Sequence, residues 1–263
     1  MTGRTDVPPR IDEPAAREQV VEACRRMHQQ GLIAGGEGNV SVRLSATRLL
    51  VTPSGVNKGF LEPSDLVVID REGRPEVAGA RVSTEVKVHL AAYRARPDIG
   101  AVVHAHPPTA IAFTLAGLSL DQRLVPESVV ALGEIPTAAY ATPSTADVAL
   151  GIERLLRDHD VVMMERHGSV CVGANVLAAC DRLESLEHTA RISFLARSLG
   201  SPVPLPADEV ARLHRLAEVQ GGARRPHPAP ATARPAVPPD PAAVDAAVQQ
   251  VLSRVLDALQ RGR

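Results

Sequence analysis

Lysine is nearly missing from this chain of 263 residues: Lys58 and Lys87 are the only two, so a reaction that needs a lysine amine has two candidates at most. Cysteine is scarce and odd in number. Cys24, Cys171 and Cys180 form no C-x-x-C pair, which argues against a disulfide framework or a thiolate zinc knot and leaves them as small buried hydrophobes. Aromatic residues are 2% with no tryptophan, part of a bias toward alanine, arginine and proline that carries no chemical signal of its own. Nor is there an excess of either charge. The 29 Lys+Arg against 30 Asp+Glu leave a net charge of −1, and without a global basic field no nucleic-acid partner is expected. No apolar run reaches the roughly 18 to 20 residues that span a bilayer, and Met1 to Arg10 holds no signal-like apolar stretch. A cytoplasmic protein without a membrane partner is the expectation. What remains is ordinary globular composition, 44% hydrophobic and 22% charged, and the length allows one catalytic domain of about 150 residues or more plus an appendage.

The local patterns alternate between helix and strand. Val20, Val21, Cys24 and Met27 recur at helical spacing between Pro14 and Gln30, and Gly31 suits a stop. Gly35, Gly36 and Gly38 interrupt the chain before Val40 to Leu44, whose alternation reads as a strand. Leu49 to Val51 and Leu66 to Ile69 read as further strands around the turn at Pro53 to Gly55. Ser83 or Thr84 can cap a helix from Glu85 to about Ala95, closed by Pro97. Gly100 to His106 is a β-branched strand, Ile111 to Ala116 a short helix, and Glu134 to Ala138 an extended piece. Val161 to Met164 and Ser169 to Val172 flank Arg166, His167 and Gly168 as two strands flank a turn, and a helix from Asn175 to Leu199 follows. This mixed order favours a layered α/β or α+β domain.

Composition divides the chain further. Residues 1–220 read as the catalytic domain and 221–241, with seven prolines among many alanines, as an extended Pro/Ala linker. Residues 242–263 read as an amphipathic helix, with Val244, Val248, Val251, Leu252, Val255, Leu256 and Leu259 on one face. A helix on so long a leash needs a partner surface to bury that face.

Chemistry is concentrated in a few residues. His104 and His106 stand two apart in the expected strand, so both imidazoles leave the same face, as two ligands of one metal must. Pro107 and Pro108 end the strand directly after them. His167 lies in a tight turn and Glu85 opens a helix, although a turn histidine is ordinarily structural and a first-turn glutamate ordinarily satisfies the helix dipole. Three imidazoles and a carboxylate match the donors zinc prefers, with manganese, iron and cobalt chemically open. Spacing alone does not bring the four together.

Five segments, in order, resemble the class II aldolase family typified by L-fuculose-1-phosphate aldolase, which also holds ribulose-phosphate 4-epimerases and methylthioribulose-phosphate dehydratases. They are Gly38-Asn39-Val40-Ser41-Val42-Arg43, Thr52-Pro53-Ser54-Gly55, Ser83-Thr84-Glu85, Val103-His104-Ala105-His106 and Arg166-His167-Gly168. The resemblance implies a three-layer α/β/α sandwich around a central, mainly antiparallel sheet, assembled as a homotetramer. It implies Zn2+ or another divalent metal held by Glu85, His104, His106 and His167, and a sugar-phosphate substrate whose phosphate meets Gly38, Asn39, Ser54, Gly55, Ser83 and Thr84. Glycines let the main chain approach an anion, Asn, Ser and Thr are neutral donors, and Ser83 and Thr84 stand at a helix start that favours negative charge.

The implied activity is a lyase reaction: cleavage of a fuculose- or rhamnulose-like ketose 1-phosphate to dihydroxyacetone phosphate and an aldehyde such as lactaldehyde, with Glu85 as acid and base. Breaking a carbon–carbon bond beside a carbonyl leaves charge that a Schiff-base lysine or a Lewis-acid metal must take up. Lys87 lies about 200° around its helix from Glu85, which favours the metal. In one respect the chain departs from the family. Where the fuculose-phosphate enzyme has a catalytic tyrosine, this sequence reads Val125-Pro126-Glu127-Ser128, and Glu127 is either a substitute acid or an ordinary loop residue. A sugar-phosphate 4-epimerase or dehydratase of the same family stays open, as does a non-catalytic scaffold like the adducin head domain, which lacks the metal set. His89, one turn after Glu85, is core or supports the site, and His28, His159, His188, His214 and His227 match no motif. The tail resembles the encapsulation peptides that direct enzymes into bacterial microcompartments, which makes shell proteins a candidate partner beside the plainer readings of an oligomerisation helix or a frayed end.

Overall fold

The structure is a computed structural model and describes residues 11–120, 123–142 and 146–220. The expected linker (221–241) and terminal helix (242–263) lie outside the described residues, as does His227. Helix α1 (Glu13–Gln29) buries Ala16, Val20, Cys24 and Met27 along one face and stops at Gly31, whose φ of +68° suits a glycine. The chain then lays down β1 (Asn39–Arg43), β2 (Arg48–Val51) and β3 (Val67–Asp70), followed by α2 (Val86–Ala95) and β4 (Ala101–Ala105). Next come α3 (Pro108–Leu115), α4 (Pro126–Leu132), β5 (Thr137–Ala138) and α5 (Ala146–Leu156). The hairpin of β6 (Val161–Met164) and β7 (Gly168–Gly173) leads into the long α6 (Val176–Leu199), capped by the Asn175 side chain, and α7 (Ala207–Gln220).

The strands make one seven-stranded sheet in the order β3-β2-β1-β4-β7-β6-β5, antiparallel at every neighbouring pair except β5 with β6. Strand periodicity then sorts the side chains to two faces. Val40, Val42, Val103, Met163 and Cys171 join α1, α3 and α6 in one core, while Val102, Val162, Val170 and Val172 join α2 and α5 in the other. This is the three-layer α/β/α arrangement with a mainly antiparallel centre. The same rule sends Asn39, Ser41, Arg43 and His104 toward α2, so the central strands carry polar groups into a buried layer.

Several elements differ from the sequence reading. The strand before the two prolines ends at Ala105, one residue short of His106, whose N–H instead donates to the Leu32 carbonyl at 2.9 Å. Glu85 itself occupies the cap position of α2, and Ser83 Oγ accepts from the Glu85 N–H at 3.3 Å. Glu127 is in the first turn of α4, a helix the loop reading overlooked although Pro126 sits at its favoured first position. Helices α5 and α7 were not expected either. Downstream of His106, α3 is tied to α6: the buried Glu187 carboxylate accepts the N–H groups of Thr109 (3.0 Å) and Ala110 (3.1 Å) and the Thr109 hydroxyl (2.6 Å). That satisfies donors the helix start would otherwise leave open and fixes the turn behind His106.

Candidate metal and catalytic site

Three chain segments deliver the imidazoles. His104 ends β4, His106 follows one residue beyond it, and His167 stands in the three-residue turn of the β6–β7 hairpin, where Arg166 takes φ = 60°. Because β4 pairs with β7, with Ala105 opposite Ser169, the turn arrives beside the strand end. The close approach depends on Gly168: a Cβ there would strike the Ala105 carbonyl and lie 2.8 Å from His106 Cδ2 and 3.1 Å from His104 Cε1. One ring nitrogen from each of His104, His106 and His167 lies within 4.8 Å of the others. Glu85 closes the group from the helix side, its carboxylate 3.1 Å from His167 Nε2 and 3.5 Å from His104 Nε2.

One hydrogen bond and one carboxylate contact turn the Nδ1 atoms outward. His104 Nδ1 donates to the Ser169 carbonyl at 2.9 Å, and His106 Nδ1 stands 3.1 Å from the Glu37 carboxylate. With the protons on those Nδ1 atoms both Nε2 atoms offer lone pairs, and they meet at 3.2 Å. Two neutral imidazoles do not turn lone pairs toward each other without a proton or a cation between them. Nitrogens bound tetrahedrally at the usual zinc distance of about 2.0–2.1 Å stand about 3.3 Å apart, so the donor set fits a divalent cation. Burial pushes the His104 imidazole down to about 4, which keeps it neutral, as a ligand must be. For Glu85 burial works upward, but the hydrogen bonds it accepts from His167 and the Asn39 amide, with the electrostatic pull of the neighbouring imidazoles, outweigh it and hold the carboxyl well below its ordinary range.

Behind Glu85 runs a buried polar ladder. Asn39 Nδ2 donates to Glu85 at 2.8 Å and Asn39 Oδ1 meets His89 Nε2; His89 Nδ1 meets Ser41 Oγ at 2.6 Å, and Ser41 Oγ meets the Tyr93 hydroxyl at 3.0 Å. The repeats match physically: alternate residues of β1 are about 6.6 Å apart and every fourth residue of a helix about 6 Å, so Asn39, Ser41 and Arg43 face Glu85, His89 and Tyr93 in step. His89 belongs to this ladder, and burial pushes its imidazole down to about 3.

The turns expected to meet a phosphate lie on the same side. Ser54 N–H donates to the Arg81 carbonyl and Pro53 bridges Val82, which brings Ser54 and Gly55 beside Ser83 and Thr84. Gly55 has φ = +73° with open space around its Cα. The Asn39 side-chain amide is engaged by Glu85 and His89. Gly38 has a structural reason of its own: at φ = +67° a Cβ would lie 2.6 Å from Ile33 Cγ2 and 3.0 Å from the His104 carbonyl. The Lys58 amine is engaged elsewhere, and Lys87 is exposed on α2. Lys58 is buried and donates to the carbonyls of Gly36 and Val56, and all three cysteines are buried and free, with burial pushing Cys24 and Cys171 up to about 12.

The residue that sequence reasoning missed is Glu37. A carboxylate on the far nitrogen of a metal-binding histidine fixes its tautomer and raises its basicity. Glu37→Gln, at a half-exposed position that leaves the fold intact, is expected to weaken divalent-metal affinity by about 10–100-fold in competition with a chromophoric chelator. Unchanged affinity would remove Glu37 from the site.

The layered sheet thus gathers imidazoles at a central strand end and a carboxylate at the adjoining helix start, a donor set that could hold a divalent metal. The chain belongs to the family described as the Class II Aldolase and Adducin N-terminal domain, which it matches over residues 18–194. It is 32% identical over 207 residues to the 3-oxo-tetronate 4-phosphate decarboxylase of Escherichia coli, covering 76% of this chain and 96% of that one. It is 31% identical over 180 residues to the L-fuculose phosphate aldolase of Methanocaldococcus jannaschii, covering 68% and 96%. Among solved structures, YgbL of Klebsiella pneumoniae superposes with a TM-score of 0.72 at 30% identity, covering 77% of this chain and 99% of that one. The chain is an enzyme of the lyase class.

Proposed function

We propose that the protein is a divalent-metal lyase that breaks a carbon–carbon bond beside a carbonyl in a phosphorylated, sugar-derived substrate, and that aldol cleavage of a ketose 1-phosphate to dihydroxyacetone phosphate and an aldehyde is its reaction. The observation that carries this reading is the lone-pair contact of His104 and His106 with His167 and Glu85 around it. Glu85, His104, His106 and His167 would hold the metal, zinc being the best match to three imidazoles. When bound, the metal supplies Lewis-acid polarisation of the substrate's carbonyl.

The chain's own residues do the rest. The turns at Ser54-Gly55 and Ser83-Thr84 offer neutral donors to the phosphate and set the distance of the carbonyl from Glu85. Glu85, ionised by its neighbours, takes the proton from the carbon beside the carbonyl in the condensation direction and returns it in cleavage. Asn39 holds the carboxylate in line for that transfer.

One observation favours a second reading. Helix α4 offers no tyrosine where the resemblance would place one, and Glu127 is exposed on its first turn. Decarboxylation of a 3-oxo acid phosphate leaves the same electron pair beside a carbonyl but releases carbon dioxide, which needs no acid for an aldehyde oxygen. The Escherichia coli relative's name describes that chemistry. The test is one panel of fuculose 1-phosphate, rhamnulose 1-phosphate, ribulose 5-phosphate and 3-oxo-tetronate 4-phosphate with the metal-loaded protein. Release of dihydroxyacetone phosphate is the expected result, carbon dioxide from the last substrate alone would replace aldol cleavage by decarboxylation, and turnover of none would overturn the reading.

The same proposal assigns residues 1–220 to catalysis, 221–241 to a linker and 242–263 to a helix for shell proteins of a microcompartment, in a cytoplasmic homotetramer. Its support is the resemblance together with the apolar stripe from Val244 to Leu259. Among the described residues no helix is long and apolar enough to cross a membrane.

A further inference from the structure

The polar ladder does not end at Tyr93. Arg43, the next alternate residue of β1, lays its guanidinium over the Tyr93 ring at 4.6 Å from the centroid and donates through Nε to the Ile99 carbonyl at 3.1 Å. Only 9% of Arg43 is exposed, and its buried Nη2 has no hydrogen-bond partner. Arg43 is among the residues that line a cleft of about 320 Å³, within the size range of small-ligand pockets.

Charge in the cleft is of one sign. Arg43, Arg48, Arg71 and Arg94 line it with Tyr93, and no carboxylate does. Arg48 is paired to Glu76 and Glu13, and Arg94 to Glu153. Arg71 is exposed and has no ion pair among the described residues. Asp98, the carboxylate that feels the charge of Arg43, is gripped at both oxygens by Arg96 at 2.8 Å. Arg43, which keeps a buried donor without a partner, and Arg71, which has no ion pair among the described residues, therefore line one cavity that no carboxylate lines. Leu49 and Leu90 give the cavity an apolar wall.

We propose that this cleft is a second anion site, separate from the metal cluster, that takes a phosphoryl group as free phosphate or as the phosphate monoester of a small metabolite. A dianion answers the excess of positive charge that lines the cleft, and the planar fork of arginine matches phosphoryl oxygens in pairs. Neutral donors alone, as at the Ser83-Thr84 turn, lack this charge match. The ladder joins the cleft to Glu85 through Tyr93, Ser41, His89 and Asn39, so an anion here sits at the far end of the hydrogen bonds that hold the catalytic carboxylate.

The chain provides its own reporter. It has no tryptophan and two tyrosines, so Tyr140→Phe leaves Tyr93 as the sole emitter. Full-length Tyr140→Phe protein is titrated at constant ionic strength with inorganic phosphate and, in parallel, with glycerol 3-phosphate. A saturable change in Tyr93 emission is expected, with half-saturation moved up about tenfold or more by Arg71→Glu, whose exposed position spares the fold. The arm with the lower half-saturation identifies free phosphate or ester as the ligand. No saturable change in either arm overturns the proposal. A change that Arg71→Glu leaves untouched also overturns it, because the anion would then be acting from the Ser83-Thr84 turn.

Discussion

His104→Ala is expected to remove bound metal and catalysis together. His104 is 1% exposed, anchored through Nδ1 by the Ser169 carbonyl, and its Nε2 is the atom that both His106 and Glu85 approach. Losing it takes away the donor nearest the centre of the cluster and leaves a polar hole that the valines around it cannot fill. Lewis-acid stabilisation amounts to several kcal/mol, and at about 1.36 kcal/mol per tenfold its loss lowers kcat/KM on the order of 10³-fold. The substitution also truncates a buried side chain, at about 2–4 kcal/mol of stability by analogy with core truncations. A second variant separates the two effects. His167→Ala acts at a turn where the side chain is 16% exposed, so metal loss there with an unchanged melting temperature isolates coordination from folding. Metal per chain measured on both purified variants decides the matter. Stoichiometric metal retained in both would sink the proposed centre.

The sequence made the donors legible because they sit in short, ordered patterns. Two imidazoles two residues apart before a pair of prolines mark a strand end, and a histidine before a glycine between apolar runs marks a hairpin turn. The sheet and the helices before and after it follow from the same periodicities, since α1, β1 and β7 have apolar residues at the spacings their geometry needs. The short α4 was harder to read: two turns of helix leave too few residues for a period to show, and only Pro126 marks its start. Glu37 carried no signal at all. It lies among glycines in a loop, and what makes it matter is a contact with His106 that the fold alone creates.

The alternation along β1 was read correctly as a strand and incompletely as chemistry. Val40 and Val42 alternate with Asn39, Ser41 and Arg43, a pattern that ordinarily places the polar set in water. Here α2 covers that face. Its residues Glu85, His89 and Tyr93 are at helical spacing, but nothing in one sequence says that the two polar stripes meet. Polar groups enter a core when each finds a partner, and here the ladder supplies those partners one rung at a time.

Glu85→Gln carries the second large effect, and it probes chemistry more than shape. The amide has nearly the size of the carboxylate, and Asn39 Nδ2, which donates to Glu85 at 2.8 Å, would select its oxygen. The amide NH2 then turns toward His167 Nε2, where the carboxylate oxygen now stands at 3.1 Å. The side chain keeps its place and loses both its charge and its ability to carry a proton. General acid and base catalysis is worth about 10²–10⁴-fold, so turnover and deuterium exchange at the carbon beside the carbonyl of dihydroxyacetone phosphate should fall by that factor. Metal content measured on the same sample distinguishes the two functions proposed for Glu85. Metal held near stoichiometry by the three histidines, with exchange abolished, assigns it the proton; metal and exchange lost together make it chiefly a ligand. Exchange at the unsubstituted rate in metal-loaded Glu85→Gln protein would leave the carboxylate with no part in the reaction and pass the proton to another group of the site.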